Sequence, residues 1–137
     1  MELDAELSYT AESVELVSES YAPEDWLVGL HFGEGDPEAG GQHWNFTRDT
    51  TADEDDDSGL SGVCTVKEIQ EVTVYGGIER FDLSPSRLVC EFDERASAKT
   101  GVKRLSISYA LDSETWTKVK AEAARLFEGN GCLSIVE

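Results

Sequence analysis

The stretch Ile78-Glu79-Arg80-Phe81-Asp82-Leu83-Ser84-Pro85-Ser86-Arg87-Leu88-Val89-Cys90-Glu91-Phe92 decides the fold class. Phe81 and Leu83 alternate with polar neighbours, and Ser84-Pro85-Ser86 closes a tight turn. Leu88, Cys90 and Phe92 then alternate again, with Val89, Glu91 and Asp93 facing the other way. A period of two on both sides of a turn predicts an antiparallel hairpin with one buried face.

Outward from this hairpin, the same period recurs. Leu105, Ile107, Tyr109 and Leu111 alternate with Arg104, Ser106 and Ser108, so the sheet is expected to be covered on one side and polar on the other. Between them, Glu94 to Gly101 reads as a connection with one helical turn. On the N-terminal side, Tyr75-Gly76-Gly77-Ile78 turns the chain, its glycines supplying positive φ. Val63 to Val74 reads as one or two strands. Further strands are predicted at Ser13 to Ser18, Trp26 to Phe32 and His43 to Arg48, the last with Trp44 and Phe46 on one face. Pro23-Glu24-Asp25 and the segment from Gly33 to Gly41 are turn chemistry.

The covering element is a helix from Ser113 to Phe127, capped by Asp112 or Ser113 and ended by Gly129. Its apolar stripe is Trp116, Val119, Ala123, Leu126 and Phe127, with Lys118, Lys120, Glu122 and Arg125 expected outward. Cys132 to Val136 is expected to add an edge strand. Strands followed by one amphipathic helix predict an α+β fold: a largely antiparallel sheet of about six or seven strands with the C-terminal helix packed on one face. The 137 residues are expected to form a single domain with an acidic loop at roughly 49–61.

The charge is lopsided. Positions 1 to 60 hold seventeen Asp or Glu and one basic residue, Arg48, whereas positions 61 to 137 hold twelve acids and ten bases. Such a field attracts a cationic partner and repels nucleic acid and anionic lipid. The start, Met1-Glu2-Leu3-Asp4, has no signal-peptide character, and no apolar run approaches the ~18 residues that cross a bilayer. A soluble, cytoplasmic protein is expected. Cys64, Cys90 and Cys132 are widely spaced and odd in number, which predicts buried thiols in a reducing compartment.

No constellation of catalytic residues emerges. The two histidines, His31 and His43, lie in or beside predicted strands near aromatic residues and read as hydrogen-bonded strand residues. Asp53, Asp55 and Asp57 alternate like the first ligands of a calcium-binding loop. The pattern then fails, because Ser58 stands where glycine is needed and Cys64 where a bidentate Glu is needed. Gly33-Glu34-Gly35 and Gly76-Gly77 lack the strand–helix setting of a phosphate cradle. No catalytic residue, cofactor or metal is therefore assigned.

Tyr75-Gly76-Gly77-Ile78-Glu79, followed by Phe81-Asp82-Leu83-Ser84-Pro85-Ser86-Arg87-Leu88, resembles the pattern of the immunity protein 10 family of bacterial polymorphic toxin systems. The similarity continues in order through Leu27 to Leu30, Asn45 to Arg48, Ala96 to Gly101, Leu105 to Leu111 and Trp116 to Phe127. The segment around Asp53 to Asp57 and the strand after it depart from the family pattern. The resemblance implies a non-enzymatic protein that binds and neutralises a cognate toxin domain. A basic toxin acting on nucleic acid would meet an acidic inhibitor as a mimic of the phosphate backbone. The expected toxin-binding residues are Asp53, Glu54, Asp55, Asp56 and Asp57, with help from Glu34, Asp36 and Glu38, and direct contact with nucleic acid or membrane is not expected. Trp44 or Trp26 is a candidate aromatic anchor, core packing being the alternative. A second functional reading stays open: an acidic ligand-binding or small enzymatic domain whose charge serves solubility.

Overall fold

The structure, a computed structural model, describes residues 6–17, 27–35, 41–49, 63–67, 72–128 and 131–136. Among them the chain forms ten strands and two helices: β1 (Glu6–Thr10), β2 (Ser13–Leu16), β3 (Leu27–Gly33), β4 (His43–Asp49), β5 (Cys64–Lys67), β6 (Val72–Tyr75), β7 (Ile78–Leu83), β8 (Arg87–Phe92), α1 (Glu94–Thr100), β9 (Arg104–Ser108), α2 (Ser113–Leu126) and β10 (Leu133–Ile135). The hairpin at 78–92 is the β7–β8 pair, with Phe81 opposite Cys90 and Leu83 opposite Leu88. The fold is α+β, as expected, but the strands divide into two five-stranded sheets.

One sheet is the antiparallel meander β2-β3-β4-β5-β6, continuous in sequence. The other is ordered β1-β9-β8-β7-β10, with β1 parallel to β9 and β10 parallel to β7 at its two edges. Val28, Leu30 and Phe32 on β3 and Trp44 and Phe46 on β4 share one face of the meander and are wholly buried. Opposite them lie residues of the second sheet. Phe46 meets Phe81 edge-on at 5.2 Å, Trp44 stacks on Phe92 at 6.1 Å, and Phe32 stacks on Tyr109 at 5.7 Å. The sheets therefore pack face to face over one core cluster. Trp44 belongs to that core, whereas Trp26 lies outside the described residues.

The chain crosses between sheets at two described places. At the first, Ala11 N–H donates to Ser108 O of one sheet and Glu12 N–H to Gly33 O of the other. The second is Gly76-Gly77, both at positive φ (72° and 84°). Gly76 N–H donates to Val63 O, Gly77 O accepts from Asp93 N–H at 2.7 Å, and the Arg95 guanidinium donates to Tyr75 O at 2.8 Å. Asp93 also caps α1 by accepting from Ala96 N–H. The most distinctive residues of the sequence are thus a joint between sheets, locked by the start of α1.

Helix α2 lies chiefly against β3, with further contact to β2, β4 and β10. Asp112 is its cap, accepting from Thr115 N–H, and this bond holds the Asp112 carboxyl below its ordinary range. Trp116, Val119, Ala123 and Leu126 point inward as expected, and Phe127 packs on Phe81 at 4.5 Å. The helix ends at Leu126, and Gly129 lies outside the described residues. Glu122 corrects the expected outward set, because it is buried and accepts a 3.0 Å hydrogen bond from Gly29 N–H. The physical reason is an incomplete ladder. Gly29 lies on the β2 side of β3, as Gly33 does, but β2 ends at Leu16 opposite Leu30, so Gly29 needs another acceptor. Arg48 from β4 donates to Arg125 O (2.7 Å) and Leu126 O (3.1 Å), so the one base of the first sixty residues caps α2.

Tyr9 and Tyr109 tie elements together through buried hydroxyls donating to Phe32 O (2.9 Å) and Ser84 O (2.8 Å). Burial pushes both phenols well above their ordinary value of 10.0, helped at Tyr9 by the nearby Glu34 carboxylate. Unfolded, the same phenols lose their protons near pH 10. Their contribution is therefore complete below about pH 10 and declines above it, by up to about 1.4 kcal/mol per pH unit for each tyrosine. Urea unfolding at pH 8 and at pH 11 should give a steeper loss of stability for the native chain than for a Tyr9→Phe/Tyr109→Phe variant. Equal slopes would contradict this assignment.

Candidate functional site

The sequence places the acidic contact residues in two segments, and the structure locates their roots on β4. Glu34 is half-buried at the start of the β3–β4 turn, where its N–H donates to Gln42 O and its carboxylate accepts from Gln42 N–H. Asp36, Glu38 and the run from Asp53 to Asp57 lie outside the described residues. The first segment joins β3 to β4 and the second joins β4 to β5, so they leave the sheet at opposite ends of β4. Seven residues of strand separate the two roots, a span of about 20 Å at ~3.3 Å per residue.

The outer face of the β2–β6 meander lies between these roots. Cross-strand register sets its composition, because residues directly opposite share a face. Glu15, His31, Asn45, Val66 and Thr73 form one row; Gly29, Thr47, Cys64 and Tyr75 form the next. Gly29 leaves no room for a side chain there: a Cβ would sit 2.1 Å from Phe46 O. The sequence-level alternation at Trp44 and Phe46 implied an outward set on β4, but only the pairing shows which residues of β5 and β6 join it.

The polar groups of this face are tied to one another. His31 Nδ1 lies 2.6 Å from Asn45 Oδ1, His31 Nε2 lies 3.0 Å from His43 Nδ1, and His43 Nε2 lies 2.8 Å from Gly35 O. A carbonyl oxygen only accepts, so His43 Nε2 carries a proton. With the Asn45 amide turned so that its NH2 group faces His31, a neutral pair of imidazoles completes the chain. His31 is buried and His43 half-buried, as hydrogen-bonded strand residues. Among the described residues there is no group of three or more His, Cys, Asp or Glu able to hold a metal.

The cysteine beside this network is Cys64, whose thiol is hydrogen-bonded by the side chains of Tyr75 and Thr47. Burial raises it above the ordinary thiol range, against the effect of those two bonds. Burial likewise raises Cys90, which is fully enclosed, and Cys132, which is half-buried. All three are free. Since the thiolate is the reactive form, this environment favours packing and hydrogen bonding over nucleophilic chemistry.

The outward face of the other sheet differs. There Arg80 pairs with Asp82 and Glu91, and Arg104 with Glu91, while Arg87 donates to Ser106. Those charges are mutually compensated, as on an ordinary solvated surface. Among the described residues no helix is long and apolar enough to cross a membrane. A family model described as Immunity protein 10 matches residues 11–117, from the first sheet crossing into α2. Searches of the curated proteins and of the solved structures give no match.

Proposed function

The chain belongs to the immunity protein 10 family, and from that membership we propose that it binds and neutralises a cognate bacterial toxin domain. The family match over residues 11–117 carries this reading. The protein acts in the cytoplasm by occupying a basic face of the toxin, without catalysis and without touching nucleic acid or membrane itself. The charge supports a cationic opponent: 29 acids stand against 11 lysines and arginines. A toxin that works on nucleic acid carries positive charge where it meets phosphate, and an anionic inhibitor competes for that surface.

In this mechanism the run from Asp53 to Asp57, with Glu34, Asp36 and Glu38, draws the toxin in. Glu34 is partly engaged in closing its own turn, so the larger share falls to the β4–β5 connection. Converting Asp53, Glu54, Asp55, Asp56 and Asp57 to their amides should slow association by about tenfold and flatten its dependence on ionic strength. Stopped-flow or surface-binding kinetics at two salt concentrations, with the toxin domain that a pull-down from the native host recovers on this chain, provide the check. An unchanged on-rate would remove that connection from the mechanism.

A further inference from the structure

We propose that His31 and His43 form a chelating site for one divalent transition-metal ion of the imidazole-preferring class: nickel, copper or zinc. The site stands apart from the immunity reading, and all of its residues lie on β3, β4 and the turn that leaves β3. His31 Nε2 and His43 Nδ1 face each other at 3.0 Å across the two strands. At metal–nitrogen distances of about 2.0–2.1 Å, two ligands at right angles on one ion stand about 2.9 Å apart, and two at a tetrahedral angle about 3.4 Å. The observed spacing fits neighbouring positions of a square-planar or tetragonal centre, the geometry of Cu(II) and Ni(II). Zn(II) needs the pair to open by only about 0.4 Å.

The other nitrogen of each ring is already fixed on an oxygen. His31 Nδ1 lies 2.6 Å from Asn45 Oδ1, and His43 Nε2 lies 2.8 Å from Gly35 O. Histidine ligands donate this second N–H to a carbonyl or carboxylate, which sets the tautomer and aims the remaining lone pair at the metal. With the Asn45 oxygen toward His31, both facing nitrogens carry lone pairs, and two acceptors at 3.0 Å repel unless a cation joins them. With the amide turned over, a proton on His31 Nε2 bridges the same gap, so the amide orientation follows the occupant. Gly33 supplies room beside the pair. A Cβ there would stand 2.8 Å from His43 Nδ1 and 3.1 Å from His31 Nε2, crowding both ligating atoms. The surroundings also suit a cation. Glu15 stands opposite His31 on β2, and the Glu12 carboxylate lies 2.8 Å from where a Cβ on Gly35 would be. The row Ser13, Gly33, His43 and the row Glu15, His31, Asn45, Val66, Thr73 contain no lysine or arginine. Among the described residues no third His, Cys, Asp or Glu completes a metal-binding group, so water takes the remaining positions. The bound ion is a clamp between β3 and β4 that stabilises the folded chain by mass action.

The test uses the tag-free full chain with NiCl2 and ZnCl2 as probes, in excess Mg(II) to occupy carboxylates that hold divalent ions loosely. Calorimetry should show one Ni(II) per chain, accompanied by a rise in melting temperature. His43→Gln should weaken binding at least about tenfold and abolish that rise, while Asn45→Ala, which keeps both ligating nitrogens, should weaken it about 10–100-fold. A readout on the native chain makes the result independent of how any variant folds. The chain has only two histidines, so a long-range proton–nitrogen correlation spectrum reports every imidazole nitrogen separately. Zn(II) should shift His31 Nε2 and His43 Nδ1 and leave His31 Nδ1 and His43 Nε2 as N–H donors. No Ni(II) binding in excess Mg(II), binding that His43→Gln changes less than about threefold, or zinc that shifts neither facing nitrogen overturns the proposal while leaving the immunity function standing.

Discussion

Phe46→Ala is expected to cost about 3–5 kcal/mol, the usual range for removing a fully buried aromatic side chain and leaving a cavity. Phe46 has no solvent exposure and stands where the two sheets meet, edge-on to Phe32 at 6.1 Å within its own sheet and to Phe81 at 5.2 Å across the core. The loss is a large fraction of the ~5–15 kcal/mol that stabilises an ordinary domain. Urea denaturation should show a lower midpoint with an unchanged slope. Val136→Ala, at a side chain that is 53% exposed, should shift stability by no more than about 0.5 kcal/mol. A cost below ~1.5 kcal/mol for Phe46→Ala would mean that the sheets do not pack through this residue.

The second large effect is expected at Gly77. Its φ of 84° lies in the left-handed region, where a side chain costs about 1–2 kcal/mol. An added Cβ would also sit 2.7 Å from Ala96 Cβ and 3.1 Å from the Asp93 carboxylate that caps α1. Overpacking of this kind adds about 1–3 kcal/mol. Gly77→Ala should therefore cost about 2–5 kcal/mol, and the loss should extend to α1. Gly101 provides the comparison: its φ is 76°, but nothing lies within 4 Å of its added Cβ. Gly101→Ala should show only the conformational part, about 1–2 kcal/mol. If the two substitutions cost the same in chemical denaturation, the close packing of Gly77 on α1 contributes nothing.

These two positions also explain why part of the fold was readable beforehand. The Tyr75-Gly76-Gly77-Ile78 turn, the β7–β8 hairpin, the Trp44 and Phe46 alternation and the Asp112 cap are written in residues close together in the chain. Local sterics and hydrogen bonds decide such features. Strand β1 was missed although Leu7 and Tyr9 alternate, because its partner β9 is almost a hundred residues away. The second sheet was missed for a related reason. Period two marks a buried face without saying which other face buries it.

The candidate site divides in the same way. Charge clustering is a property of composition, so the acidic segments and the expectation of a cationic partner followed from the residues alone. The attachment of the segments that hold them to opposite ends of β4 and the inward turn of Glu122 did not. A helical wheel places Glu122 at the edge of the apolar stripe, but the unpaired Gly29 N–H that draws it inward exists only once β2 stops short along β3.

By itself, then, the chain determined its elements, its caps and turns, the family pattern and the sign of its field, because each depends on neighbours within a few residues or on a sum over all of them. Tertiary structure alone decided which strands share a sheet and which faces are buried. Those outcomes depend on pairing between distant segments, and register, once chosen, assigns every alternate side chain to one side or the other.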